Sequence, residues 1–301
     1  MSGRSLKWLI GVLAVLGLAA GLYSDLEGLL GGMRLVRPSI TAAASIYLLS
    51  HLLRMLRMLV ILGHSAQTIR GVILALALAA PVTALIPLKI GEFFRIYLLG
   101  GACGGFFHAF RAVWLERSFD AAALATVGGL ALWLEPNTPA QVLTVSTMGM
   151  AFLGLTFFGI FLIPQNLGFT KDYFIIRYNQ EWTVRLLRRI EALRLGLVAT
   201  RKLIQGKVGV VLLSTILIWT LEVLALWMFL RAMPLDIIIP GVLAVLSDIF
   251  QPMALAVPEL REHMVVHRFM VIMSVSGLAL AGLVFKQTRY GRSRREALPH
   301  R

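Results

Sequence analysis

Long apolar runs fill most of this chain, and their length determines the fold class. Six of them approach the roughly 20 residues that a helix needs to cross a bilayer. They lie at residues 6–23, 41–62, 113–134, 142–163, 208–230 and 264–285. Hydrophobic residues make up 58% of the chain and charged residues only 15%, whereas about a quarter of a soluble domain is charged. The sequence therefore predicts an all-α polytopic membrane protein with about six full transmembrane helices.

Two further apolar stretches are broken by proline and charge, and they occupy corresponding places in the two halves of the chain. Residues 81–95 contain Pro81 and Pro87, followed by Lys89, Glu92 and Arg95. Residues 240–262 contain Pro252 and Pro258, followed by Glu259, Arg261 and Glu262. A bilayer tolerates freed backbone groups and charges only around a cavity, a ligand or a charged partner. Paired breaks of this kind indicate a transport site near the bilayer midplane.

The positions of the basic residues predict the orientation of the chain. The net charge is +14, and arginine and lysine are concentrated in residues 164–206 and 286–301. Both intervals and the amino terminus, which carries Arg4 and Lys7, are therefore expected in the cytoplasm. Counting crossings then favours two opposed re-entrant helical hairpins, at about 71–107 and about 237–262, as in inverted-repeat transporters. The alternative is one full crossing in each stretch, which places the middle loop outside.

One transmembrane domain, residues 1–285, is predicted to precede a basic cytoplasmic tail, residues 286–301. Within the domain we expect an amphipathic helix at about 180–205, because apolar residues recur there every three or four positions with arginines between them. Those apolar positions are Trp182, Leu186, Ile190, Leu193 and Leu197. Basic amphipathic helices bind anionic membrane surfaces, so this helix is expected on the inner leaflet. Docking of a partner protein is the alternative.

The first broken stretch carries three charges at intervals of three residues. Lys89, Glu92 and Arg95 fall on one flank of a helix that begins near Ile90. The start of a helix also presents free amide groups to an anion. We therefore predict a site for a lipid phosphate or a similar anionic head group, with Lys89 and Arg95 as its cations and Glu92 orienting Arg95. An internal salt bridge between Glu92 and Arg95, holding the hairpin, is the alternative.

The second apolar run carries a cationic stripe. His51, Arg54 and Arg57 recur at intervals of three residues and so share one side of a helix. Two interpretations follow. Arg54 and Arg57 either guide a phosphate into the membrane or extend toward the cytoplasmic interface, as long basic side chains near helix ends do.

Acidic residues within apolar runs are further candidates for substrate binding. Glu116, Arg117 and Asp120 stand close together near the start of the run at 113–134. Paired carboxylates serve acid–base chemistry or metals, although a structural ion pair between Arg117 and Asp120 is favoured here. Glu222 has no basic neighbour in sequence, so it should face a basic residue of another helix or be protonated.

Neither an enzyme nor a metal centre has strong support in the sequence. His263 and His267 share one helix face beside Glu262, but no third metal ligand is indicated. Phosphate-binding loops, dinucleotide fingerprints and serine-nucleophile elbows are not found, and no nucleic-acid motif accompanies the positive charge. The single cysteine, Cys103, lies among glycines and is interpreted as a small apolar residue at a close-packed turn. We expect no cofactor, no nucleic acid and no catalytic activity, with a membrane-embedded enzyme using Glu116 and Asp120 left open.

Several of these motifs together resemble one family, the flippase-like integral membrane domains named after the transmembrane region of lysylphosphatidylglycerol synthase. They are the arginine-bearing helix at 51–62, Pro87-x-x-x-Gly91-Glu92-x-x-Arg95, Glu116-Arg117-x-x-Asp120, and Arg261-Glu262. In the second half the family shows a proline- and glycine-rich stretch, whereas this chain has Ala256, Val257, Pro258 and Glu259 there. The departure concerns the geometry of the second hairpin.

The resemblance implies that the protein moves or presents lipid head groups in the prokaryotic inner membrane, with both termini in the cytoplasm. Aminoacylated phospholipids and polyprenyl-linked sugars are the implied substrates. We expect translocation of such a lipid, supplied by a separate glycosyltransferase or lipid synthase. A non-catalytic membrane subunit that anchors or assists such an enzyme is the alternative.

Overall fold

The computed structural model describes residues 38–63, 66–85, 90–134, 140–177, 181–231 and Gly277, and the regular structure within these ranges is helical. The helices are α1 (Pro38–Leu62), α2 (Ala66–Leu85), α3 (Ile90–Ala102), α4 (Phe106–Leu134), α5 (Ala140–Phe157), α6 (Ile163–Arg177), α7 (Glu181–Ile204) and α8 (Val208–Arg231). A π-helical segment, Phe158–Leu162, joins α5 to α6. The predicted all-helical class is confirmed for this part of the chain.

Three helical stretches of the described residues are long and apolar enough to cross a membrane: Thr41–Leu62, Ser146–Phe169 and Val208–Met228. The first and the third agree with two of the six predicted spans. The run at 113–134 is helical within α4, but its charged residues lower its hydropathy and it is not among the three. The spans expected at 6–23 and 264–285 lie outside the described residues. The protein is therefore a helical, multi-pass membrane protein, and the number of six spans stays a prediction.

The predicted span at 142–163 is shifted toward the carboxyl end, because the helix does not stop at Pro164. The backbone N–H of Ile163 donates to the carbonyl of Phe158, five residues earlier. Pro164 has no N–H to donate, and a wider π turn directly before it lets the helix continue into α6. The apolar span therefore runs on to Phe169.

The chain divides into two compact units. One comprises residues 1–55, 64–109 and 218–301, and the other comprises residues 56–63 and 110–217. In the first, α2 packs against α3, and a Cβ placed on Gly71 would lie 3.3 Å from the Cβ of Ala102. The helix expected near Ile90 is confirmed, since α3 begins there. Pro81 lies within α2, which continues through it to Leu85.

The turn after α3 matches the expectation for Cys103. Its thiol is buried and donates to the carbonyl of Leu99 at 2.8 Å. Gly104 and Gly105 follow with φ of 86° and 134°, values that side chains with a Cβ rarely adopt. This turn follows α3 and so ends the helical pair α2–α3. The pair occupies the first broken stretch. Its re-entrance into the membrane stays a prediction, and the hairpin expected at 237–262 lies outside the described residues.

In the second unit, α6 and α7 pack against each other, and α7 also contacts the π segment. The guanidinium of Arg201 lies 5.3 Å from the ring centroid of Phe161. A helix thus occupies the interval in which an amphipathic helix was expected. Its apolar stripe is only partly exposed, because Leu186, Ile190 and Leu197 are half-buried.

Two glycines on α5 provide a test of the packing in this unit. A Cβ on Gly149 would lie 3.1 Å from the carbonyl oxygen of Ala121 on α4, whereas nothing lies within 4 Å of a Cβ on Gly154. Gly149→Leu should therefore force α4 and α5 apart and destabilise the protein by about 1–3 kcal/mol. Gly154→Leu should leave stability unchanged within about 0.5 kcal/mol. Thermal unfolding in detergent measures both, and equal losses would contradict the close approach of the two helices.

Candidate functional site

The first cluster of buried polar groups joins α1 to α8, and we name it the Arg54 cluster: Ser50, His51, Arg54, Trp219 and Glu222. The Nη2 and Nε atoms of Arg54 donate to Oε1 of Glu222 at 2.7 and 3.0 Å. Ser50 donates its hydroxyl to the same oxygen at 3.2 Å. The Trp219 ring lies beneath the guanidinium, 6.0 Å from ring centroid to Cζ. The basic partner expected for Glu222 on another helix is therefore confirmed as Arg54.

This ion pair is only partly buried. The side chains of Arg54 and Glu222 keep 17% and 15% of their surface exposed, although both lie in helices of transmembrane length. Buried ion pairs in a bilayer are costly, and they are found mainly along pathways for ions or substrates. An ion pair that stays partly open is available for exchange with another charged group.

A second arginine, Arg95 on α3, belongs to the same compact unit as this cluster. Arg95 is largely buried, and its Nη1 lies 3.5 Å from Oε2 of Glu92, one helical turn away. That distance exceeds the 2.7–2.9 Å typical of a charge-assisted hydrogen bond. The predicted pairing of Glu92 with Arg95 is present but loose, whereas Arg54 is held tightly.

The other unit contains a different cluster, named the Arg57 cluster: Arg57, Glu116, Arg117, Asp120 and Thr215. Arg57 Nη1 donates to Oδ1 of Asp120 and to Oγ1 of Thr215, both at 2.8 Å. Its Nη2 donates to Oε1 of Glu116 at 2.9 Å. Arg117 Nη1 contacts the other Asp120 oxygen at 3.0 Å, which confirms the predicted pair. Two arginines and two carboxylates thus give a network with no net charge.

The two clusters differ in how deeply their side chains are buried. The side chains of Arg57 and Glu116 are completely buried, and Asp120 keeps 6% of its surface exposed. Three helices meet in this network, because Arg57 lies on α1, the carboxylates on α4 and Thr215 on α8. Such a closed, neutral network is suited to holding helices together in an apolar medium. Arg117 is the exception, since 38% of its side-chain surface is exposed, but the Arg57, Glu116 and Asp120 side chains offer little access to a ligand.

The structure gives no support to metal chemistry in the described part of the chain. No group of three or more His, Cys, Asp or Glu side chains is positioned there to hold a metal ion. Both carboxylates of the Arg57 cluster instead receive hydrogen bonds from arginine. His263 and His267 lie outside the described residues.

The predicted site residues fall into three groups. Arg54 and Glu222 meet in one cluster, and Arg95 and Glu92 pair on α3 in the same unit. The other cluster brings together Arg57, Glu116, Arg117 and Asp120. Lys89, Arg261 and Glu262 lie outside the described residues. A role in substrate binding stays a prediction for all of them.

Three partners were not foreseen: Ser50, Thr215 and Trp219. The sequence does carry a signal for them. Ser50, Arg54 and Arg57 stand at positions i, i+4 and i+7, and so do Thr215, Trp219 and Glu222. Polar or amphipathic side chains repeating at this spacing on an apolar helix share one face, which is where interhelical hydrogen bonds form.

Comparison with known protein families gives a match. A family model described as the lysylphosphatidylglycerol synthase TM region matches residues 8–260. No curated protein and no solved structure matches the chain. The matched range contains both clusters and the α2–α3 pair, and it ends just before Arg261.

Proposed function

The chain belongs to the family described as the lysylphosphatidylglycerol synthase TM region, and on this basis we propose that it translocates a lipid across the prokaryotic inner membrane. Membership confirms the resemblance found in the sequence motifs and indicates a lipid-related role in the membrane. The proposed cargo is a phospholipid or a polyprenyl-phosphate-linked sugar. A separate synthase or glycosyltransferase supplies it, and the protein itself makes and breaks no covalent bond.

One observation carries the proposal: Arg54 and Arg95 are two largely buried cations of one compact unit, and each keeps part of its side-chain surface exposed, 17% and 9%. An unpaired phosphate in hydrocarbon costs many kcal/mol, so any path for a head group requires compensating cations. Arg54 supplies one cation on α1, and Arg95 supplies the other on α3. The acyl chains remain in the lipid while the phosphate crosses.

Glu222 and Glu92 act as resident counter-ions in this proposal. When no lipid is bound, they neutralise Arg54 and Arg95 and limit the cost of burying them. An arriving phosphate takes over the guanidinium donors, and the carboxylates recover them when it leaves.

Arg57 has a different role from the one suggested by the cationic stripe. Because its side chain is fully buried and bonded to Glu116, Asp120 and Thr215, we assign it to holding the helices rather than guiding the phosphate. The sequence grouped Arg54 with Arg57. Their different surroundings support assigning them different roles.

Replacing Arg95 tests the proposal directly. Arg95→Ala should reduce the leaflet exchange of a head-group-labelled lipid in proteoliposomes by at least about 100-fold, since a charged partner of the phosphate is lost. Arg70→Ala, which removes an exposed arginine from α2, should leave exchange unchanged. If Arg95→Ala instead unfolds the protein, Arg95 and Glu92 form a structural salt bridge and the transport role is refuted.

A further inference from the structure

A basic surface lies on α7. We name it the arginine face, formed by Arg185, Arg188 and Arg189, and all three side chains are exposed. Thr183, on the opposite side of α7, is buried, and so are Thr200 and Ile204 toward the end of the helix. The helix is therefore packed into its unit at these positions, while the arginine face is exposed.

Apolar side chains border the arginine face on both sides. With 100° of rotation per residue, Trp182 and Leu193 fall on one edge and Val184 and Leu195 on the other. Each of these four keeps about half of its surface exposed, between 46% and 54%. Large apolar groups around a basic strip are poorly suited to water. They match the boundary of an anionic bilayer, where basic groups meet phosphates and apolar groups enter the acyl region.

The position of α7 in the chain places it beside the bilayer. The chain reaches α7 from the span Ser146–Phe169 through α6, and it leaves into the span that begins at Val208 after a three-residue turn at 205–207. Arg201, near the end of α7, contacts Phe161, which lies within the first of these spans. The last turns of α7 are thus held at the level of a membrane-spanning helix, within reach of the lipid.

We propose that the arginine face of α7 binds the anionic head groups of the surrounding bilayer. This surface recognises bulk anionic lipid, and it is separate from the Arg54 cluster that handles the transported lipid. The inference does not depend on translocation, because it concerns a surface that would bind lipid even if no lipid were moved. Each arginine near an anionic surface contributes roughly fivefold to the binding constant, so three contribute about a hundredfold.

The test places a polarity-sensitive fluorophore at Leu193→Cys and follows its quenching by lipids brominated in the acyl chains. Cys103→Ser provides the background, since a serine hydroxyl preserves the hydrogen bond to the Leu99 carbonyl. The full chain is placed in nanodiscs of zwitterionic lipid, with or without about one-third phosphatidylglycerol. We expect strong quenching only in the anionic discs and its loss in 1 M salt, at which charges are screened beyond about 3 Å.

Matched variants make the outcome specific. A label at Leu213→Cys, exposed on the α8 span, should be quenched equally in both discs. Replacing all three arginines by alanine should abolish the response to anionic lipid, and Arg188→Ala should weaken it about fivefold while Arg70→Ala does not. Equal quenching at position 193 in both discs would overturn the proposal. So would an absence of quenching in both, which would indicate a protein partner instead.

Discussion

Arg57→Ala should destabilise the protein by about 3–5 kcal/mol, the cost of breaking a buried ion pair by removing one partner. Glu116 and Asp120 would be left as two neighbouring carboxylates in an apolar interior, with Arg117, which contacts Asp120, as the remaining cation of the cluster. The Thr215 hydroxyl would also lose the hydrogen bond that it accepts from Arg57. We expect little folded protein in detergent, detected by a large fall in melting temperature and in monodisperse yield.

A neutral version of the cluster distinguishes this cause from a simple loss of bulk. Arg57→Met combined with Glu116→Gln and Thr215→Val removes one charge of each sign and the hydroxyl bonded to Arg57, keeps the side-chain volumes similar, and leaves the pair between Arg117 and Asp120 in place. Since buried ion pairs are often replaceable by uncharged groups at little cost, the triple variant should recover most of the lost stability. If it is as unstable as Arg57→Ala, the charges are not what holds these helices together. A stable Arg57→Ala variant would contradict the structural role outright.

Arg54→Gln should have the opposite profile: folding is retained and lipid exchange falls by at least about 100-fold. Glu222 keeps its hydrogen bond from Ser50 and remains partly exposed, so the loss of its arginine is tolerated better than the loss of Arg57. The lipid phosphate, in contrast, loses a cation that nothing else in the cluster replaces at that position. Exchange rates in proteoliposomes, set beside melting curves of the same preparations, measure both effects.

Arg54→Lys is the matched control for this prediction. A lysine keeps the positive charge but presents a compact ammonium instead of the planar fork of donors. We expect an intermediate rate, about tenfold below that of the intact protein. Identical rates for Arg54→Lys and Arg54→Gln would show that geometry rather than charge is required. Normal exchange by Arg54→Gln would remove Arg54 from the transport path.

The fold was predictable where local physical chemistry decides it. Apolar length gave the spans at 41–62 and 208–230, and the charge spacing after Pro87 gave the start of α3 at Ile90. The passage through Pro164 was not predictable, because it depends on a π turn whose hydrogen bond from Ile163 to Phe158 has no sequence signature. The continuation of α2 through Pro81, within its last turns, was not predicted either.

The sequence predicted which charged residues belong to the candidate site. It did not predict that they divide between two clusters. Charges within apolar runs identified Arg54, Arg57 and Glu222, since such residues must find partners. Sequence spacing placed the two arginines on one stripe with one role. Only the tertiary contacts show that Arg54 pairs with a partly open carboxylate, whereas Arg57 is enclosed by two buried ones. Partner choice and access to solvent depend on which helices meet, and the sequence of one helix does not contain that information.

Leaflet exchange in proteoliposomes is the direct test of lipid translocation by this protein. The substrates are a panel of head-group-labelled lipids, including aminoacylated phospholipids and a polyprenyl-phosphate sugar. We expect the intact protein and the neutral Arg57 triple variant to exchange at least one of these lipids. Arg54→Gln and Arg95→Ala should both be folded and should exchange none of them. Absence of exchange across the whole panel by folded, intact protein would contradict lipid translocation. It would favour a non-catalytic subunit that anchors a lipid-modifying enzyme.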